Sequence, residues 1–90
     1  MVNVRFSERE KRFLELLRDG KRYETKFLVI ECIEGATGDD DPELWRSYKK
    51  TFFNMVSRLR MKLERRGMSV ICEYSNRKFY YRWVKLISHE

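Results

Sequence analysis

The chain has 90 residues, enough for one domain with one modest core and too few for two. Hydrophobic residues at 42% and aromatics at 14% exclude a disordered tail, and no apolar run approaches the about 18 residues of a membrane span. Twenty Lys and Arg against fourteen Asp and Glu leave a formal charge of +6, which favours a polyanionic partner, nucleic acid ahead of an anionic membrane surface.

Val2–Phe6 alternates too briefly to distinguish a short strand from a loose arm, and Met1–Phe6 lacks the features of a signal peptide. A cytoplasmic, nucleoid-associated protein is expected. Ser7-Glu8-Arg9-Glu10 fits a capping box that opens a helix from about Glu8 to Arg18. Phe13, Leu14, Leu16 and Leu17 supply its buried face, and Gly20 ends it.

Thr25–Glu34 (TKFLVIECIE) reads as either a buried strand or a short helix, because a short apolar run cannot be typed by periodicity alone. A helix is preferred, capped by Thr25, with Phe27, Ile30 and Ile33 or Glu34 on one side and Gly35 as its stop. Lys21-Arg22-Tyr23 is then a connection with an extended residue or two. Gly35–Asp41 (GATGDDD) is a loop whose adjacent aspartates lack the alternation a calcium loop needs, and it is expected to be solvated.

Asp41 is a good N-cap and Pro42 suits the first helical position, so a long helix over Pro42–Arg66 is predicted, with Gly67 as its left-handed stop. A kink near Arg46–Lys50 would relieve its length. Trp45, Tyr48, Phe52, Met55, Val56, Leu59 and Leu63 recur at steps of three and four and form one apolar stripe. Ser47, Lys50, Thr51, Asn54, Arg58 and Arg65 project from the opposite face. Pro42–Gly67 holds eight basic residues and two acidic ones, a surplus equal to the whole chain's +6.

After Gly67 the period changes to two. Met68–Tyr74, with Val70, Cys72 and Tyr74 on one face, and Phe79–Ile87 read as strands joined by the polar hairpin Ser75-Asn76-Arg77-Lys78. Tyr80, Tyr81 and Trp83 are expected to place one face under the helices and leave the other half exposed. Cys32 and Cys72 lie far apart among apolar neighbours and read as small buried hydrophobes of a reducing cytosol. With neither cysteine in a paired motif and the only histidine at His89, no metal site, cofactor or small-molecule ligand is expected.

The chemistry of the long helix suits double-stranded DNA. Arg58 can pair with guanine O6 and N7, Asn54 with adenine N6 and N7, and Thr51 can touch a thymine methyl group. Lys49, Lys50 and Lys62 suit phosphates. Arg77 and Lys78, next to Asn76 at the hairpin tip, are candidates for a phosphate or the minor groove.

The order of parts is that of an α+β winged helix-turn-helix domain: three helices followed by a C-terminal β-hairpin wing, spanning residues 1–90 as one domain. Val56-Ser57-Arg58-Leu59-Arg60-Met61-Lys62-Leu63-Glu64 resembles the recognition helix of OmpR/PhoB-type response-regulator output domains. Phe6-Ser7-Glu8-Arg9-Glu10 is similar to that family's first-helix opening. The resemblance implies that Arg58 reads a base edge, while Arg60, Arg77 and Lys78 serve phosphates or the minor groove. The family's wing ends in a Gly-x-Gly-Tyr turn, which Asn76-Arg77-Lys78-Phe79 replaces here, and the chain carries no receiver domain.

A sequence-preferring regulator of transcription, acting as a homodimer on a two-fold DNA site, is the expectation. A sequence-tolerant chromatin or plasmid-partition protein and a winged-helix protein-interaction module are the alternatives. No nucleophile–base pair or Gly-rich phosphate loop marks an enzyme.

Overall fold

The computed structural model describes residues 5–86. Of the Val2–Phe6 segment only Arg5 and Phe6 are described, and neither is in a strand; Ile87 and His89 lie outside the described residues. In chain order the elements are α1 (Glu8–Leu16), β1 (Tyr23–Glu24), α2 (Thr25–Cys32), α3 (Pro42–Glu64), β2 (Met68–Ser75) and β3 (Lys78–Lys85). They form an α+β fold in which three helices cover an antiparallel sheet of order β1-β3-β2. Among the described residues, no helix is long and apolar enough to cross a membrane.

The capping box forms as the sequence implies. Ser7 N–H donates to Glu10 Oε1 at 2.7 Å, and Glu10 N–H donates to Ser7 Oγ at 3.2 Å. Asp41 Oδ1 accepts from the Glu43 and Leu44 amides at 2.9 and 3.3 Å, and α3 runs from Pro42 as one helix with no break at Arg46–Lys50. At its far end Gly67 has φ +72°, and its carbonyl accepts from Leu86 N–H at 2.8 Å, which fastens the helix exit to the end of the sheet.

The second segment is a helix, but two expected details fail. Thr25 does not cap it: Glu24 holds the N-cap position without a side-chain bond, and Thr25 Oγ1 donates instead to Phe79 O at 3.0 Å. The cause is β1, whose Tyr23 and Glu24 pair with Tyr81 and Tyr80 and bring Thr25 against β3, where a tertiary acceptor replaces the local one. The buried face is Leu28, Val29 and Cys32 rather than Phe27 and Ile30. A helix apolar on nearly every side has no preferred face until its neighbours choose one. Arg9–Glu34 at 2.8 Å and Arg12–Glu31 at 2.9 Å flank the chosen contact with α1, and Phe27 stays 41% exposed, stacked on Tyr23.

The core is shared by every helix and the sheet. Phe13 of α1, Phe52 of α3 and Tyr81 of β3 meet edge-to-face with centroids 5.6–6.2 Å apart. Around them pack Leu17, Leu28, Leu59, Leu63 and Val70, each no more than 1% exposed. Tyr81 is buried, whereas Tyr80 and Trp83 are half exposed. Cys32 is buried as expected, but Cys72 is exposed. It shares a sheet face with buried Val70 and pairs with buried Tyr81, but it lines an open groove between the start of α3 and the hairpin.

Candidate nucleic-acid interface

Helix α3 changes character along its length. Its buried residues are Phe52, Met55, Val56, Leu59 and Leu63, all in the C-terminal part. From Pro42 to Thr51 no side chain is fully buried; Trp45, Tyr48, Lys49 and Thr51 are half buried and the others exposed. This first part of the helix, about 15 Å at 1.5 Å per residue, is covered more thinly, with Trp45 and Tyr48 packed against the edge of the core. Tyr48 steadies it, since a Cβ at Gly35 would meet Tyr48 Oη at 3.0 Å.

The acidic loop before α3 is a built turn rather than a fully solvated linker. Asp40 accepts from the Thr37 and Gly38 amides at 2.9 and 3.2 Å, and the Thr37 bond foremost holds its carboxyl below the usual range.

The expected contact residues divide into two groups. Ser47, Lys50, Asn54 and Arg58 are exposed on α3, and Lys49 is half exposed beside them. Thr51 is half buried and its hydroxyl donates to Ser47 O at 3.2 Å, back onto its own helix. Arg60 and Lys62 are held by the protein itself. Arg60 Nε donates to Val70 O at 2.8 Å, and Lys62 Nζ donates to Glu10 Oε1 at 2.6 Å. Glu10 is only 3% exposed, the sole buried charged residue among those described. Burial alone would raise its carboxyl pKa; the Lys62 ammonium and the Ser7 amide outweigh burial and hold it below the usual range. Arg60 and Lys62, expected at phosphates or the minor groove, thus each satisfy a polar group of the fold.

At the hairpin tip Ser75 pairs with Lys78, leaving Asn76 and Arg77 as a two-residue turn with φ +50° and +62°. Two positive φ values are the mark of a type I′ turn, whose twist matches that of the strands it joins. Tyr74 and Phe79 cross the hairpin at 4.8 Å and stiffen it. Arg77 extends from the tip, while Lys78 is partly answered by Glu24 at 3.7 Å.

Most carboxylates of α1, α2 and the sheet pair with nearby cations, as in Arg9–Glu34, Arg12–Glu31 and Arg82–Glu73. Among the described residues Arg46, Lys49, Lys50, Arg58 and Arg77 have no carboxylate within 4.0 Å. The uncompensated cations thus include the solvent face of α3 and the hairpin tip, alongside Arg18, Lys21, Lys26, Arg65 and Lys85 elsewhere on the described surface.

Between the N-terminal part of α3 and the hairpin lies a groove of about 480 Å³. Trp45, Lys49 and Phe53 line it from α3, Arg77 and Phe79 from the hairpin, and buried Tyr81 from the sheet. Sequence reading missed this groove. The signal was the i, i+4, i+8 spacing of Trp45, Lys49 and Phe53, a second helix line that the main apolar stripe obscured. Compared with protein-family models, curated proteins and solved structures, the chain matches none.

Proposed function

We propose that this chain is a winged helix-turn-helix domain that binds double-stranded DNA with sequence preference, α3 entering the major groove and the β2–β3 hairpin acting as the wing. The observation that carries the reading is the set of uncompensated cations on the free face of α3 and at the hairpin tip. A helix about 10–12 Å in diameter fits a groove of about 12 Å. The hairpin following α3 supports the winged arrangement.

Arg58 and Asn54 take the base edges; Arg46, Lys49, Lys50 and Arg77 take phosphates. One helix and one wing read a short site, so two copies on half-sites one helical turn apart complete the proposal for a small regulator of transcription.

Selection from a random duplex library, followed over a salt series, tests it. Four phosphate-facing cations give a log–log salt slope of about −3.6 for each bound copy, and Lys50→Gln should flatten it by about 0.9 per copy. Arg58→Ala should relax preference at one base position by about 1–3 kcal/mol. Tight binding without an enriched motif would replace the reading with sequence-tolerant coating of DNA. No binding at low salt would end the DNA reading and turn attention to protein partners.

A further inference from the structure

A chain of phosphates needs cations, and the groove between α3 and the hairpin has them. It also has apolar walls that phosphates do not require. Phe53 is 45% exposed and Phe79 55%, one on each side, with half-buried Trp45 further along α3. Large aromatic surface left in water on opposite walls of one concavity suits a flat apolar body. Its volume of about 480 Å³ lies in the range of small-molecule sites.

The charge around those walls is one-sided. Lys26, Lys49 and Arg77 line the groove with no ion pair, and its one carboxylate, Glu24, is shared with Lys78 at 3.7 Å. A neutral hydrophobe would leave these cations without a partner, whereas an aromatic anion answers both walls and charge.

We infer that this groove binds a small planar aromatic anion, its ring system between Phe53 and Phe79 and its acidic group at Lys49 and Arg77. Because both cations also belong to the proposed DNA face, the bound anion competes with duplex. The competition rests on the DNA reading; the groove does not.

The probe is 8-anilinonaphthalene-1-sulfonate, titrated by its fluorescence into the folded wild-type chain, with neutral N-phenyl-1-naphthylamine as the uncharged comparison. Half-saturation is expected below about 100 µM, the range of a few well-placed contacts. Phe53→Ser and Lys49→Gln, both at positions outside the fully buried core, should each weaken binding at least about 5-fold, and the neutral probe should bind at least about 10-fold more weakly. Met61→Ser, at a 65% exposed position not lining the groove, should leave it unchanged.

Absence of enhancement, or enhancement that Phe53→Ser and Lys49→Gln do not reduce, overturns the site. Equal affinity for the neutral probe overturns its preference for an anion. Duplex that binds without weakening the sulfonate overturns the competition. Groove-dependent sulfonate binding with no duplex binding upholds the site and removes the DNA reading instead.

Discussion

Replacing Lys62 with Met should weaken the fold and should not remove preference at any single base position of a DNA site. The substitution keeps most of the aliphatic stem and removes the ammonium that lies 2.6 Å from Glu10. Glu10 is left nearly buried with its Ser7 amide bond and no cation. A fully buried pair that loses one partner costs about 3–5 kcal/mol, and an exposed pair about 0–1. The Glu10 side chain is 4% exposed and that of Lys62 32%, so the loss falls between these limits, at about 2 kcal/mol. In a domain of this size that lowers Tm by about 8–16 °C.

The pH dependence has a definite sign. The Glu10 carboxyl is held below its ordinary pKa, so its contribution is full above the unfolded value and is lost as pH falls through the folded one. In Lys62→Met, burial without the cation instead favours the protonated acid. The Tm gap between wild type and variant should therefore be widest near pH 7 and close toward pH 3. Circular dichroism melts across that range, with Glu10→Gln and the double variant completing a cycle, measure it. An unchanged Tm at pH 7, together with a selective loss at one base position of a DNA site, would refute the reasoning and restore Lys62 to the interface.

Three further outcomes follow from local geometry. Arg77→Gly removes a left-handed strain of about 1–2 kcal/mol and adds about 0.5–1 of chain entropy cost, so stability should rise by about 0.5 kcal/mol; a lower Tm would contradict the turn assignment. Asp41→Ala leaves the Glu43 and Leu44 amides without their acceptor and should cost about 1 kcal/mol, read in a urea melt, with no loss expected if α3 begins later than Pro42. A disulfide-exchange reagent should modify one thiol of the native chain quickly: Cys72 is exposed, whereas burial pushes the Cys32 thiol up to about 12. Rapid reaction of both cysteines below the unfolding transition would show that the packing around Cys32 is wrong.

What could be read before any coordinates was what neighbours in sequence decide. Ser7 and Glu10 are three residues apart and fulfil each other's hydrogen bonds, and Asp41-Pro42 and Gly67 mark the ends of α3 by backbone chemistry alone. The apolar stripe holds from Phe52 to Leu63 because helix geometry makes it a face wherever the helix lies. Lys62 and Glu10 are 52 positions apart, and Arg60 reaches a carbonyl ten positions on, so nothing nearby marked these two cations as already engaged. Lys49 and Lys50, one residue apart, do separate: Lys49 lines the groove, and Lys50 is on the outer face. Cys72 misled for a similar reason, since alternation along β2 specifies a face but not where a groove opens on it.

On the proposed DNA reading, the division within α3 also explains how one helix serves as both core and reading head. An isolated helix of about ten residues is marginal in water, so Pro42–Thr51 could not hold its side chains in register on its own. It is continued by a segment whose Phe52, Met55, Val56, Leu59 and Leu63 are buried and whose Arg60 and Lys62 are fastened to the sheet and to α1. These contacts fix rotation about the helix axis, and rotation decides which residues face outward. A turn of 100° exchanges one residue for the next, so the aim of Lys50, Asn54 and Arg58 depends on bonds made by positions that need never touch DNA. Loosening Arg60 or Lys62 should then blunt discrimination between sequences along with stability. Changing Lys50 or Arg58 should alter binding while the fold stands.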